Sequence, residues 1–282
     1  MFKNNRKQYQ KRLKLVTLRS ATKLLLVLMS VWIIPLSSRV KSDALIFLSD
    51  FESGFSEWGV EACCSHSIQT VNSPVRAGEQ AVRFFLQKDD PHIAGSKRTE
   101  LKLGEVPANS ERWYSFSVFL PADYQQDPSG EIIAQWHDLP DRDLGESWKF
   151  PALCLNTKNG RFGLFRTWDS KQVTLNNATE GQETVDLGSY QTGKWTDFVF
   201  HVKWSSRSDG RFEVWQDGKL VVSRNGPNYY NDKRGPYLKI GIYKGDWKNH
   251  PENSTVTERT LYYDEVRIGD ANARYEDVAP RN

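Results

Sequence analysis

No stretch of this 282-residue chain is apolar for long enough to cross a bilayer as a helix. The longest apolar run, Leu24–Leu36, has 13 residues, against about 20 for a span. Acidic residues are missing altogether from positions 1–42, and the whole chain holds only three cysteines and five histidines. Each scarcity excludes something. A basic lead-in, a short apolar core and the small residues Ser37, Ser38 and Ser42 read as a secretory signal, with cleavage expected before Asp43. The alternative is an uncleaved membrane anchor, which the long basic lead-in keeps open. Three cysteines, Cys63, Cys64 and Cys154, are too few and wrongly spaced for a structural zinc site, which needs about four ligands in paired spacing. Export permits a disulfide, expected between Cys154 and either Cys63 or Cys64, with three free buried thiols as the alternative.

The missing acids also distort the charge. Ten of the 38 basic residues and none of the 35 acidic ones lie in 1–42. The remaining chain therefore carries 28 basic and 35 acidic residues, a net of −7. The alkaline character belongs to the leader and is no sign of nucleic-acid binding, for which a clustered basic face is needed. No nucleic-acid partner is expected, nor stable membrane insertion once the leader is removed. An anionic ligand would meet a local basic site on an acidic body.

Internal repeats, low-complexity segments and 3.6-residue periodicity are also lacking after residue 43. What recurs is short runs rich in Val, Ile, Phe, Tyr and Trp, punctuated by Gly, Asn, Asp and Pro. Ala81–Leu86, Trp113–Leu120, Arg161–Trp168, Phe198–Trp204, Arg211–Gln216, Tyr237–Tyr243 and Thr260–Ile268 are the clearest. Asp209-Gly210 and Asp217-Gly218 make 198–223 a three-strand meander. The expectation is a single all-β domain over 43–282, a monomer, built as a sandwich or jelly roll of two antiparallel sheets.

Three of these runs carry chemistry on one face. Side chains alternate along a strand, so Arg98, Glu100 and Lys102 share a face in K-R-T-E-L-K-L (97–103). In I-I-A-Q-W-H (132–137), Ile133, Gln135 and His137 oppose Ile132, Ala134 and Trp136. In Y-L-K-I-G-I-Y (237–243), Tyr237, Lys239, Gly241 and Tyr243 oppose the apolar Leu238, Ile240 and Ile242. If the three strands are neighbours, they form a patch suited to β-elimination from a uronate. Arg98 and Gln135 would neutralise the carboxylate and the enolate-like charge, and His137 and Tyr243 would move the protons. Gly241 would leave a gap for a polymer. For any one strand, a solvated polar face is the simpler reading; three complementary strands together make that reading harder to hold.

These segments resemble the signature motifs of jelly-roll polysaccharide lyases. R-T-E-L (98–101) is similar to R-x-E-(L/V)-R of alginate lyases, Q-W-H (135–137) to Q-(I/V)-H, and Y-L-K-I-G-I-Y to Y-F-K-A-G-x-Y. The heparin lyase I-like group, and within it the glucuronan lyases of polysaccharide lyase family 20, is closer still. D-F-E-S-G (50–54), P-V-R-A-G (74–78) and L-Y-Y-D-E-V-R-I-G (261–269) extend that likeness along the chain. The resemblance implies a concanavalin-like sandwich with a concave groove and an anionic polysaccharide as substrate. It nominates Arg98, Gln135, His137 and Tyr243 as catalytic, Tyr243 first as acid/base, with His92 in D-D-P-H-I as a further candidate. It nominates Lys239, Glu100, Trp136 and Tyr237 for substrate binding. The chemistry implied needs no cofactor. Relatives often carry structural calcium, for which Asp264 with Asp50 or Glu52 would supply oxygens. Lys102 after Leu101, and Trp136 in the second motif, depart from the alginate pattern and favour a different uronate.

Two other classes compete. A glycoside hydrolase needs two carboxylates flanking the bond, yet no strand has acids at alternate positions of the E-x-D-x-x-E kind; Glu100, Glu213 and Asp264 stand singly. A carbohydrate-binding module would use Trp136, Trp148, Trp168 and Trp247 for stacking, but no attached catalytic domain is legible.

Overall fold

Alternation becomes fifteen strands in the computed structural model, which describes residues 44–281. The expected leader and its cleavage point lie outside the described residues. In chain order the strands are β1 (Leu45–Ser49), β2 (Gly59–Glu61), β3 (Ile68–Val71), β4 (Ala81–Gln87), β5 (Arg98–Pro107), β6 (Glu111–Leu120), β7 (Glu131–His137) and β8 (Leu153–Lys158). They continue as β9 (Arg161–Trp168), β10 (Gly181–Ser189), β11 (Lys194–Lys203), β12 (Arg211–Gln216), β13 (Lys219–Asn225), β14 (Arg234–Tyr243) and β15 (Glu258–Gly269). Two single α-helical turns, α1 (Asp246–Asn249) and α2 (Tyr275–Val278), and two 3-10 turns, Arg142–Leu144 and Pro251–Asn253, complete the regular structure among the described residues. Among the described residues no helix is long and apolar enough to cross a membrane.

All strand pairs are antiparallel, and they make two sheets. One runs β13-β12-β11-β6-β15-β4-β3 with β1 also on β15; the other runs β10-β9-β8-β7-β14-β5-β2. This is the expected sandwich. The meander is β11, β12 and β13, and its second turn has both Asp217 (φ 49°) and Gly218 (φ 79°) left-handed, the conformation a tight two-residue hairpin requires.

Apolar faces of the two sheets meet in one aromatic core. Trp136 of β7 packs 4.6 Å from Phe200 of β11 and 5.4 Å from Tyr114 of β6, between ring centroids. It is fully buried. Trp136 therefore belongs to the core, as its strand parity indicates, and not to substrate binding. Trp247 is buried as well, its indole N–H donating to Ser254 Oγ at 2.8 Å. Neither tryptophan can stack on a sugar.

Strand β14 lies between β7 and β5, so the three chemical segments are neighbours. Parity holds along β5 and β14 but breaks in β7. The register slips between Ile132 and Ala134 of β7 against β8, and between Ile240 and Tyr243 of β14 against β7. Ile133 consequently turns into the core beside Ala134, instead of sharing the face of Gln135 and His137. Its carbonyl leaves the ladder and accepts the Tyr263 hydroxyl at 2.7 Å. A bulge does this by placing two residues opposite one.

The cysteines also differ from expectation. Cys63 and Cys64 are bonded to each other and Cys154 is a buried free thiol. Cys154 sits on β8, four strand spacings from β2 in the sheet. That is roughly 19 Å, whereas cysteines whose Cα atoms stand more than about 7 Å apart cannot be bridged.

Gly241 has φ 132°, and a Cβ there would lie 2.3 Å from the Thr99 carbonyl oxygen and 2.9 Å from Phe84 Cδ1. The glycine is required by the close approach of β5 and the core, not by a passing polymer. Gly241→Ala should destabilise the protein by about 2–4 kcal/mol in urea unfolding, far more than an alanine on a solvated strand face.

Candidate active site

The groove lies on the sheet that holds β7, β14 and β5, and encloses about 700 Å³. Arg98, Lys102, His137, Tyr237, Lys239 and Tyr243 line it, with Glu61 from β2 and Trp148 and Lys149 from the loop after β7. Register fixes their order. Tyr237 pairs with His137, Lys239 with Gln135 and Lys102, and Tyr243 with Ile132 and Arg98. The site therefore has two poles, one of His137 and Tyr237 and one of Arg98 and Tyr243. Five or six residues of strand separate them, on the order of 17–20 Å.

Between the poles lies a bed of paired charges. Lys239 is buried, and its ammonium donates to Glu61 Oε2 at 2.6 Å and Glu100 Oε2 at 3.0 Å. Arg98 donates to the same two oxygens at 3.0 and 3.3 Å. Lys102 reaches Glu61 Oε1 at 2.9 Å. Three cations thus surround two carboxylates. Burial works to raise the Glu61 carboxyl, but hydrogen bonds and charge from Lys239 and Lys102 outweigh it and hold it at about 2. Gln135 donates its amide to Glu100 and is buried with it; neither lines the groove. The amide expected to meet a substrate carboxylate is occupied by Glu100, and Glu100 positions the basic side chains from below. Glu61 was not legible beforehand, because a three-residue strand, G-V-E, has no alternation to read.

At one pole the Arg98 guanidinium lies 4.8 Å from the centre of the Tyr243 ring, a cation–π contact. Lys244, next along, is fully buried between Glu131 (2.5 Å) and Asp127 (2.7 Å), anchoring the end of β14. At the other pole His137 stacks on Tyr237 at 5.9 Å and meets the edge of Trp148 at 5.4 Å. His137 Nδ1 is 3.1 Å from the Asp138 backbone carbonyl and 3.0 Å from its carboxylate. Since both partners can only accept, Nδ1 carries the proton, and a neutral His137 presents Nε2 as an acceptor. The Tyr237 hydroxyl is pushed well up, chiefly by burial and then by Glu61 and Glu100, so it stays protonated as a donor.

Asp138 is fully buried and also 3.2 Å from Lys149, whose ammonium contacts Glu146 (2.6 Å) and Asp232 (3.1 Å). Burial lifts the Asp232 carboxyl to about 7 against the pull of Lys149. Asp138 follows His137 directly in sequence, a signal that could have nominated it. Of the stacking candidates only Trp148 is exposed on the groove; Trp168 sits under Arg166, 4.7 Å away. His92 is exposed on the β4–β5 loop and does not line the groove, although Ala94 does.

The calcium ligands nominated by resemblance do not converge. Asp264 is buried and accepts backbone N–H groups of Arg76 (2.8 Å), Ala77 (3.2 Å) and Glu265 (2.7 Å). Glu52 Oε1 accepts from Glu79 (2.8 Å) and Gln80 (3.0 Å). Asp50 accepts the N–H of Glu52 at 3.3 Å. Asp264 and Glu52 hold the 75–80 turn through its backbone amides, and among the described residues these three acids form no group with metal-ligand spacing.

A polysaccharide lyase family profile matches residues 50–267. The chain belongs to the polysaccharide lyase family. It is a carbon–oxygen lyase acting on polysaccharides. Its fold is similar to that of an endo-β-1,4-glucuronan lyase from the fungus Trichoderma reesei, with a TM-score of 0.70 at 22% identity over 84% of this chain and 99% of the other. It is similar also to alginate lyase A1-II′ of polysaccharide lyase family 7, with a TM-score of 0.54 at 14% identity over 78% and 96% of the two chains. A PL-14 alginate lyase from Aplysia kurodai gives 0.51 at 14% identity over 72% and 87%. No curated protein sequence matches the chain. In this lyase, R-T-E-L, Q-W-H and Y-L-K-I-G-I-Y fall on β5, β7 and β14, the three central strands of the groove.

Because Glu61 titrates near 2 in the folded protein and near 4.5 when unconstrained, its pairing stabilises the fold above pH 4.5. That contribution drains away as pH falls from 4.5 towards 2, where the unfolded chain binds the proton first. Glu61→Gln should flatten the melting temperature against pH across this window while the wild type falls steeply.

Proposed function

We propose that this lyase cleaves a glucuronan-like, uronate-containing polysaccharide by β-elimination, outside the cell, as a monomer. One observation carries the reading: at the groove, Arg98, Lys102 and Lys239 bind a carboxylate, that of Glu61, at 2.6–3.0 Å. A surface built to hold carboxylates suits a polymer with one on every ring. The anionic polymer approaches an acidic body through this basic floor.

In the reaction the C5 proton of a uronate is removed, and the electron pair passes through the enolate-like carboxylate system. The C4–O4 bond breaks and O4 takes a proton, leaving a 4,5-unsaturated uronate on one product. Arg98 neutralises the substrate carboxylate as charge develops there. Tyr243, beneath Arg98, is the acid/base, and His137, oriented through Nδ1 by Asp138, supplies an acceptor at Nε2. Tyr237 remains a phenol and donates. The basic leader is consistent with export, and the 22% identity to the glucuronan lyase puts glucuronan first among the polymers to try.

The hydrolase alternative finds no acid at Glu61. It needs one carboxylic acid kept protonated beside the bond; Glu61, the carboxylate at the centre of the groove, is instead held at about 2 by its cations, and Asp232, lifted to about 7, does not line the groove. The binding-module alternative loses Trp136 and Trp247 to the core, leaving Trp148.

Mature protein should raise ultraviolet absorbance from glucuronan as unsaturated ends form, and less or not at all from alginate or heparin. Absorbance gain with none of these polymers overturns the assignment. Tyr243→Phe should lower turnover by about 10²–10⁴-fold with binding retained. Full turnover in Tyr243→Phe combined with its loss in His137→Asn would move proton transfer to the His137–Tyr237 pole.

A further inference from the structure

A second cluster of chemically active side chains lies off the groove, where the β2–β3 loop meets the start of the β4–β5 loop. Cys63 Sγ, Cys64 Sγ, His66 Nε2 and a carboxylate oxygen of Asp90 all lie within 4.8 Å of one another. Among the described residues these four alone form a group with metal-ligand spacing. The fold has already positioned two of them. Asp90 is 5% exposed and its Oδ2 accepts the Gln87 N–H at 2.9 Å. His66 Nε2 donates to Asp90 Oδ1 at 3.1 Å, and its ring packs edge-on against Phe85 at 5.5 Å. Cys64 Sγ is 3.9 Å from the same Asp90 oxygen. His66 is 39% exposed, which opens the cluster to solvent.

We infer that this cluster, in its dithiol form, is a binding site for one thiophilic divalent cation of the zinc class. Tetrahedral zinc takes sulfur at about 2.3 Å and nitrogen or oxygen at about 2.0–2.2 Å, so its ligands stand roughly 3.3–3.8 Å apart. The observed spread needs a contraction of about 1 Å among side chains on two loops, apart from the two sulfurs, which must separate. As the disulfide, the sulfurs have no thiolate charge to offer, and only His66 and Asp90 remain. Binding is therefore gated by oxidation state. A dithiol reductant gives up two electrons and two protons, becoming its own disulfide, while the Cys63–Cys64 bond breaks to two thiols. Metal binding then releases both thiol protons and the His66 Nε2 proton moves to Nδ1, leaving two thiolates, one carboxylate and one neutral imidazole on the cation. Asp90 is held from behind by Gln87 and, through its carbonyl, by the Lys97 ammonium, the kind of outer support that fixes a ligand's orientation.

Cobalt reports the site directly. The purified chain, reduced with a phosphine under inert gas, should take up one equivalent of Co²⁺ with a thiolate-to-cobalt charge-transfer band and intense tetrahedral d–d bands, both erased by Zn²⁺. The untreated chain should show neither, and Cys154→Ser should leave both bands unchanged. His66→Ala and Asp90→Asn should each weaken binding at least about tenfold. Zn²⁺ should also raise the melting temperature of the reduced wild type, but not of the reduced His66→Ala variant or the oxidised wild type. The inference is overturned by the absence of cobalt bands in the reduced chain, or by bands that persist at equal affinity in both variants. It fails equally if reduction unfolds the chain and Zn²⁺ does not restore it.

Discussion

A buried carboxylate joins the three strands of the active face. Glu100 of β5 accepts from Gln135 of β7, Lys239 of β14 and Arg98 of its own strand. Desolvating a carboxylate and an ammonium side by side is costly unless every lone pair and proton is used. Here Lys239 has two carboxylate acceptors and Glu100 three donors, with Glu61 supplying the second anion. The arrangement locks the register of β7, β14 and β5 electrostatically as well as through the backbone ladder. Because Arg98 and Lys239 are held on fixed carboxylates, their positions are set before any substrate arrives, which limits the reorganisation needed at the transition state.

The same lock shapes the electrostatics. With three cations around two anions, the groove floor is basic only by a small margin, on a chain that is acidic outside residues 1–42. A carboxylate entering the groove would compete with Glu61 for the same donors. The two poles give the groove a direction. Tyr243 with Arg98 occupies one end, and His137 with Tyr237 and Trp148 the other, a separation that spans more than one sugar ring.

Much of this was legible beforehand because strands repeat every two residues. Leu238, Ile240 and Ile242 against Tyr237, Lys239 and Tyr243 could be sorted without coordinates, and β5 obeyed the same rule. The rule failed where the backbone departs from it. The bulge in β7 sent Ile133 into the core, and the close approach of β5 explains Gly241. Alternation put Gln135 on the groove face and Trp136 was named for substrate binding, but both are buried. Glu61 and Asp138 had no periodic signal at all; one is on a three-residue strand and the other just past a strand end.

From its sequence alone this chain could be assigned an all-β sandwich, a basic N-terminal segment opposite in charge to the rest, and three strands with a polar, chemically matched face. Those follow from local alternation and composition, which need no partner strand. Tertiary structure alone decided which carboxylates the cations hold, which tryptophans are core, which cysteines meet and where His92 stands. These depend on strand order and bulges, and a single-residue slip moves a side chain from one face of a sheet to the other.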